Sequence, residues 1–362
     1  MTQSKIIEQK QVRPQTPQPP FPYRQKEVSY KNDVDGITVS GTLTIPAGEK
    51  LFSVVLLISG MGPQDRDYTM MGHKFYLVLA DYLTRHGIGV LRVDKRGVGK
   101  STGIFDATVT SEDLSRDVKA GIVYLASRKD VNQGQIGLIG HSEGGLIASM
   151  IAAQSKEISF LVLLGAVAAT DIENVLSQVA LQLKADGASE GMIKADNKLR
   201  EQLLRVVKQE RNLQAAELEM KSLAEIYFDT LSEELKKESD CFLFTFKQSS
   251  IHNMISFFNS PSYRYWLGHD PSTQLKNITI PTLALNGDLD FITVSTVHLP
   301  IISRTLYEAD NGDVTVTQVP GVNHWFQSCT TGAIAEYGTI DETISPAVLA
   351  LISDWILIRT NK

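Results

Sequence analysis

The chain has 362 residues, 43% hydrophobic and 21% charged, enough apolar material for one large core plus an insertion or a small second unit. Lys and Arg number 35 against 41 Asp and Glu, a net charge of −6, and no long basic block interrupts the balance, so a nucleic-acid or anionic-membrane surface is not indicated. The N-terminus lacks the apolar h-region of a signal peptide and no run approaches about 18 apolar residues; the chain therefore reads as soluble, without a membrane span and cytoplasmic by default, although an export signal removed before Met1 would leave the same appearance.

Residues 1–24 are rich in Gln and Pro and form a first segment that should be extended, mobile, or laid along the body surface. From Glu27 the pattern changes to Val28 and Tyr30, a turn at Asp33–Gly36, and alternating Ile37, Val39, Gly41, Leu43 and Ile45, which predicts a β-hairpin. Ser53–Ser59 is a continuous apolar run, as for a parallel strand buried on both faces, and it ends in the glycine-bearing loop Gly60-Met61-Gly62-Pro63. Phe75, Val78, Leu79, Tyr82 and Leu83 then mark a helix over Gly72–His86, with Gly87 past its end.

Ile88–Val93 reads as the next buried strand, followed by Asp94-Lys95-Arg96-Gly97-Val98-Gly99-Lys100-Ser101. Its Gly-Lys-Ser raises a phosphate-binding loop, but the Walker pattern needs glycine where Asp94 stands. Thr110 and Asp113 predict a capping box opening a helix through Leu114, Val118, Ile122 and Leu125. An apolar strand next runs through Ile136, Leu138 and Ile139 into Gly140-His141-Ser142-Glu143-Gly144 and a helical pattern.

That pentapeptide has the form of a G-x-S-x-G nucleophile elbow. A serine projected from a turn this sharp brings its neighbours two residues away too close for side chains, which calls for Gly140 and Gly144. The turn also places the Glu143 N–H at a helix head, where donors are unpaired. After one more strand, Ser159–Gly165, the order is βαβαβαβ behind a hairpin, which builds a mainly parallel, doubly wound sheet.

The alternation stops at Asp171. Residues 171–270 are long, polar and helix-favouring, then crowded with Phe242, Phe244, Phe246, Phe257, Phe258, Tyr263, Tyr265 and Trp266. A helical block between two sheet strands cannot share the sheet's layers and should sit over one edge as a cap. Its aromatics could line an acyl or aryl pocket, although packing between cap and body is their commoner use. Strand patterns resume at Ile278–Leu285, ending in Asn286-Gly287-Asp288-Leu289-Asp290, and at Asp313–Val319, leading to Asn323-His324-Trp325. Pro300 should make the intervening helix begin late or kink, and Ser345-Pro346 should open a closing helix.

A serine hydroxyl needs a base, and the base a partner that sets its tautomer. Groups at the carboxyl ends of the strands meet in such a sheet, and here they are Ser142, then Asp288 and Asp290, then His324, in the order Ser, Asp, His. Of seven histidines only His324 sits in a loop directly after the last predicted strand; His141, part of the serine turn, should point away from the site. Asp288 and Asp290 are equal candidates on position alone. Backbone N–H groups of Met61 and Glu143 are the candidate oxyanion donors. Asp65-Arg66-Asp67 reads as loop-internal ion pairing, Cys241 and Cys329 as unpaired thiols, and no residue cluster has metal-ligand spacing, so no metal is expected.

With these residues in place the chain resembles an α/β-hydrolase, and in particular the bacterial EstD-type esterases grouped with serine aminopeptidase-like hydrolases. The likeness runs from Pro19 to Ile358. It is carried by Ser59-Gly60-Met61-Gly62-Pro63-Gln64-Asp65-Arg66-Asp67, Gly72-His73-Lys74, Leu79-Ala80-Asp81-Tyr82-Leu83-Thr84-Arg85, the Asp94–Ser101 loop, Gly140-His141-Ser142-Glu143-Gly144-Gly145, Asn286–Asp290 and Asn323-His324-Trp325-Phe326-Gln327. The resemblance implies Ser142 as nucleophile, Asp290 rather than Asp288 as acid, His324 as base, and Met61 and Glu143 as oxyanion donors. Met61 stands where a small residue is usual and Tyr68 replaces a usual acid, so the acyl-pocket shape can differ from the family's.

The expectation is an α/β-hydrolase fold: a mainly parallel doubly wound sheet with an N-terminal antiparallel hairpin, a core of 25–170 and 271–362, and a helical cap of 171–270. The expected activity is that of a cofactor-independent carboxylesterase acting on a small-molecule ester, with short acyl chains implied by the resemblance and a homodimer left open. An aminopeptidase or acyl-peptide hydrolase would use the same three residues, with Glu233, Glu234 or Asp240 available for a substrate amine. A non-catalytic binding protein is disfavoured because every catalytic position is filled.

Overall fold

The structure is a computed structural model that describes residues 13–48, 51–242 and 245–360. Phe244 and the part of the N-terminal segment before Arg13 lie outside the described residues. In chain order the elements are β1 Arg24–Asn32, β2 Ile37–Ile45, β3 Phe52–Ile58, β4 Thr69–Met70, β5 His73–Lys74, α1 Phe75–Arg85, β6 Gly89–Val93, α2 Ser111–Ala126, β7 Val131–His141, α3 Glu143–Ala152 and β8 Ile158–Leu164. Seven helices follow, α4 Ile172–Ala185, α5 Glu190–Gln209, α6 Leu213–Thr230, α7 Glu233–Ser239, α8 Ile251–Phe258, α9 Pro261–Gly268 and α10 Ser272–Leu275, and then β9 Thr282–Gly287, α11 Ser295–Glu308, β10 Val314–Val319, α12 Ile334–Tyr337 and α13 Pro346–Thr360.

Eight strands form the main sheet in the order β1-β2-β6-β3-β7-β8-β9-β10. The hairpin pairs Arg24 with Ile45 in antiparallel register and β2 runs antiparallel to β6; every other pairing is parallel. The apolar run of β3 shows why this sheet is central. Val54, Leu56 and Ile58 enter a core with Leu114, Val118, Ile122, Ile147 and Ile302 from α2, α3 and α11. Val55 and Leu57 point the other way, into a core with Leu79, Leu83, Ile352 and Ile356 from α1 and α13. Side chains alternate across a strand, so only a sheet covered on both faces accepts such a run.

Local signals act as their chemistry requires. The Thr110 side chain accepts from Asp113 N while Asp113 reaches back to the Thr110 N–H, closing the capping box of α2. The helix expected from Gly72 begins instead at Phe75, because Met71 (φ 49°) and Gly72 (φ 79°) make a left-handed turn that pairs β4 with β5. Pro300 neither delays nor ends α11, which starts at Ser295 and carries the proline inside. Residues from Arg13 onward lie along the body: Arg13 donates to the carbonyls of Met71 (2.8 Å) and Gly338 (2.7 Å), and Gln15 to that of Ile344 (2.7 Å).

Between β8 and β9 the helices α4, α5, α6, α8 and α9, with Phe246 from the segment between α7 and α8, bury a hydrophobic cluster of their own, including Leu199, Leu203, Met220, Phe258 and Tyr263. The aromatics are therefore spent largely inside this segment rather than between it and the sheet domain. The Arg200 guanidinium lies 4.5 Å from the Phe246 ring centroid and pairs with buried Asp196 at 2.8 Å. The segment meets the sheet's loops at Ser262, whose N–H donates to Ala107 O (3.1 Å).

Candidate active site

β7 leads into Ser142, whose backbone lies at φ 57°, ψ −124°, and α3 starts at the next residue. A non-glycine residue in this region is strained and is kept only where its surroundings over-determine it. The surroundings here are backbone: a Cβ on Gly140 would lie 2.2 Å from Gly144 O, and one on Gly144 would lie 1.9 Å from Ile58 O. The two glycines inferred from the sequence are thus sterically required, and Ser142 N–H donates to Leu164 O at 2.9 Å across to β8.

Asp290 follows β9 and is fully buried. Its Oδ1 accepts the N–H groups of Ile292 (2.9 Å) and Thr293 (2.8 Å), and its Oδ2 accepts the Thr293 hydroxyl (2.7 Å) and His324 Nδ1–H (2.8 Å). Burial by itself would raise this carboxyl; the adjacent His324 and the Thr293 hydrogen bonds outweigh it and hold it below the ordinary carboxylate value. Asp288 is exposed and accepts Gly321 N–H at 2.6 Å, the part of a turn residue. Of the two acids left equal by position, Asp290 is the one beside His324. A Cβ on Gly165, next to the residue that accepts from Ser142, would lie 3.2 Å from His324 Nδ1 and 3.3 Å from Asp290 Oδ2, which brings the three strand ends to one place. The side-chain hydrogen bonds of His324 run to Asp290 and Thr293 and none runs to Ser142 among the described residues; such bonds often close only with substrate present.

The N–H groups of Met61 and Glu143 meet no acceptor among the described residues, so both candidate donors are available. The Met61 side chain is exposed while Glu143 is buried, its carboxylate taking the Ser111 hydroxyl at 2.7 Å. Next to this pair is a cavity of about 300 Å³ lined by Met61, Phe105, Leu114, Glu143, Phe257 and Tyr263, with Asp106 at its wall. Glu233, Glu234 and Asp240 lie on α7 or just beyond it and do not line that cavity.

His141 does not point away from the site. Its ring centroid is 4.6 Å from that of His324, and its Nε2–H donates to His324 O at 2.9 Å. A carbonyl only accepts, so Nε2 carries the proton and Nδ1 takes the Tyr68 hydroxyl at 3.3 Å. Burial and the neighbouring His324 push His141 down to about 3, so it stays neutral. Tyr68, where an acid is usual, is buried with its hydroxyl against Gly60; a Cβ there would lie 2.6 Å away. Thr293, which the sequence patterns do not single out, joins the site through its hydroxyl, within hydrogen-bond distance of Asp290 Oδ2 and His324 Nδ1; a threonine three residues after an aspartate is the local signal for it. The Asp65–Asp67 run pairs outward rather than within its loop: Arg66 forks onto Asp94 (3.1 and 2.7 Å), and Asp67 meets Lys74 and Arg92. Both cysteines are free, and no cluster of potential metal ligands occurs among the described residues. No described helix is long and apolar enough to cross a membrane.

A family model described as the alpha/beta hydrolase fold matches residues 53–328, well over half of the chain. The chain belongs to the alpha/beta hydrolase family. Esterase EstD of Thermotoga maritima is 33% identical over 134 residues, 37% of this chain and 32% of that protein, so the match spans about a third of that relative's length. Among solved structures, the alpha/beta hydrolase GrgF from Penicillium sp. sh18 superposes with a TM-score of 0.56 at 16% identity, covering 94% of this chain and 100% of that one. The Pyrococcus furiosus esterase Pf2001 gives 0.54 at 15% identity, covering 94% of each. At these identities the structural likeness is one of fold.

Proposed function

We propose that this chain is a serine hydrolase that cleaves short-chain carboxylic esters through an acyl-enzyme on Ser142. The observation that carries the reading is the buried 2.8 Å contact of His324 Nδ1 with Asp290, at strand ends beside the strained serine turn. With Nδ1–H held by the carboxylate, Nε2 is the free base. His324 takes the Ser142 proton as Oγ attacks the ester carbonyl, and the resulting oxyanion is held by the Met61 and Glu143 N–H groups. Collapse expels the alcohol, which receives the proton from His324. Water then adds to the acyl-enzyme by the same route, releasing the acid and restoring Ser142.

The cavity beside the donors serves as the acyl pocket. At about 300 Å³ it stands at the small end of ligand sites, which suits a short acyl group. In this reading residues 171–270 are a cap on a core of 25–170 and 271–362, with 1–24 as a separate segment, and Phe257 and Tyr263 from the cap close the pocket. An aminopeptidase or acyl-peptide hydrolase would use the same three residues, with Asp106, one of the residues lining the pocket, as the candidate to meet a substrate amine.

The test is labelling of the folded protein by a fluorophosphonate, which should modify Ser142 and be abolished by Ser142→Ala; unlabelled Ser142 would sink the proposal. Comparing p-nitrophenyl acetate, butyrate and octanoate with aminoacyl anilides then separates esterase from peptidase.

A further inference from the structure

Lys95, two residues past β6, is buried, and the mechanism above does not use it. Its Nζ donates to Gly60 O at 2.5 Å and lies 5.5 Å from the centroid of Phe105. Burying an ammonium is costly unless it is compensated, and here its direct partner is a main-chain carbonyl. The Gly60 carbonyl and the Met61 N–H are the two ends of one peptide unit. The loop is clamped from its other side as well: Gln64 Nε2 donates to Met61 O (3.0 Å), and Lys95 N–H donates to Gln64 O (3.1 Å). This peptide abuts the nucleophile, since a Cβ on Gly60 would lie 3.0 Å from Ser142 Cβ.

We infer that Lys95 is a positioning residue that fixes and polarises the Gly60–Met61 peptide, making the Met61 N–H a stronger and better aimed donor to the oxyanion. The inference rests on the serine-hydrolase reading above. A hydrogen bond to a carbonyl oxygen strengthens the N–H across the same amide, and a cationic donor does so most. In a dry site this acts on charge that exists only in the transition state. Burial pulls the Lys95 pKa down while the Glu143 carboxylate supports the ammonium. The ammonium in turn offsets the negative charge of Glu143, which would oppose an oxyanion nearby.

Fluorophosphonate labelling of the wild type comes first, because an unlabelled Ser142 refutes the hydrolase reading itself. In labelled, active protein, Lys95→Met should lower kcat on p-nitrophenyl butyrate by about 10- to 100-fold, below the full loss of one oxyanion donor, with KM moving less than about 3-fold. Binding of a trifluoromethyl ketone, which forms a hemiketal oxyanion on Ser142, should weaken by the same factor as kcat. Aminoethylation of Lys95→Cys with 2-bromoethylamine restores an ammonium and should recover activity, against wild type treated alike to control for Cys241 and Cys329. Lys95→Gln, which keeps an N–H for Gly60 but no charge, is the second variant should Lys95→Met not fold, with a loss of about 5-fold or more. Variants that fold and keep kcat within about 3-fold, or lose kcat without losing ketone affinity, overturn the assignment.

Discussion

Replacing Asp290 by Asn tests the His324 tautomer directly. The hydrogen bonds around Asp290 dictate how an amide would sit there: Oδ1 receives two backbone N–H groups, from Ile292 and Thr293, which only an oxygen can accept. The Asn NH₂ must therefore occupy the Oδ2 position, facing His324 Nδ1 at about the present 2.8 Å. Two donors cannot face each other, so Nδ1 gives up its proton and accepts, and the proton moves to Nε2, the atom required as base. Thr293 can accommodate the change because its hydroxyl already has Gly165 O as an alternative acceptor at 3.0 Å. The variant should fold while kcat falls by about 10³- to 10⁴-fold, the upper end being the scale of the corresponding change in a serine protease, or about 4–5.5 kcal/mol at 1.36 kcal/mol per decade. Asp288→Asn, at an exposed turn position, should stay within about 3-fold. The assay is steady-state hydrolysis of p-nitrophenyl butyrate with the circular dichroism of each variant as control. A severe loss in Asp288→Asn, or an Asp290→Asn variant within tenfold of wild type, would refute the argument.

Acid should destabilise the fold through two buried histidines. His141 and His298 are pushed from 6.5 to about 3 and about 4, in both cases first by burial. The unfolded chain therefore binds protons that the folded chain refuses, and stability falls as pH drops from 6.5 toward 4, by about 1.4 kcal/mol per pH unit for each fully titrating group. Urea midpoints at pH 7, 6 and 5 read this, and His298→Gln should flatten the decline; a midpoint independent of pH contradicts it. Phe257→Ala trims the pocket wall at a side chain that is 47% exposed, so the ratio of kcat/KM for octanoate over butyrate should rise about 3- to 10-fold with little change in stability. An unchanged or reduced ratio would place the acyl chain elsewhere. Gly144→Ala sets a Cβ against the Ile58 carbonyl, backbone against backbone, and should cost more than about 3 kcal/mol; a variant with the wild-type urea midpoint would show that the turn can open.

Much of the sheet was legible because its signals are local. Period-2 burial of β3 on two faces requires continuous apolar residues, a capping box is four residues long, and the glycines of the serine turn follow from contacts within five positions and the neighbouring strand. The family likeness, carried by several short stretches, implies Asp290 as the acid, and in the structure Asp290 lies 2.8 Å from His324 Nδ1. Residue patterns alone left Asp288 and Asp290 equal, because two carboxylates in one loop differ only in which way the chain has turned when it meets the loop after β10. That turn is a tertiary fact, set by the parallel pairing of β9 with β10 and by the N–H groups of Ile292 and Thr293.

The same distinction separates the rest of the site. Ser142, its flanking glycines and the helix that follows are determined within one short stretch of sequence. His141 resting against His324, Tyr68 under Gly60, and Phe257 on a cavity wall while Phe258 packs inside the helical cluster depend on elements far apart in the chain. Lys95 is the clearest case: in sequence it is one charge in a basic, glycine-rich loop, with no periodicity or motif to suggest burial. Its place is decided because β6 lies beside β3 in the sheet, so the loop after one strand ends under the loop after the other, with the ammonium at the Gly60 carbonyl. Local sterics and hydrophobic period were enough to specify the serine turn, whereas the direction of each supporting side chain waited on which strand ends the sheet makes neighbours.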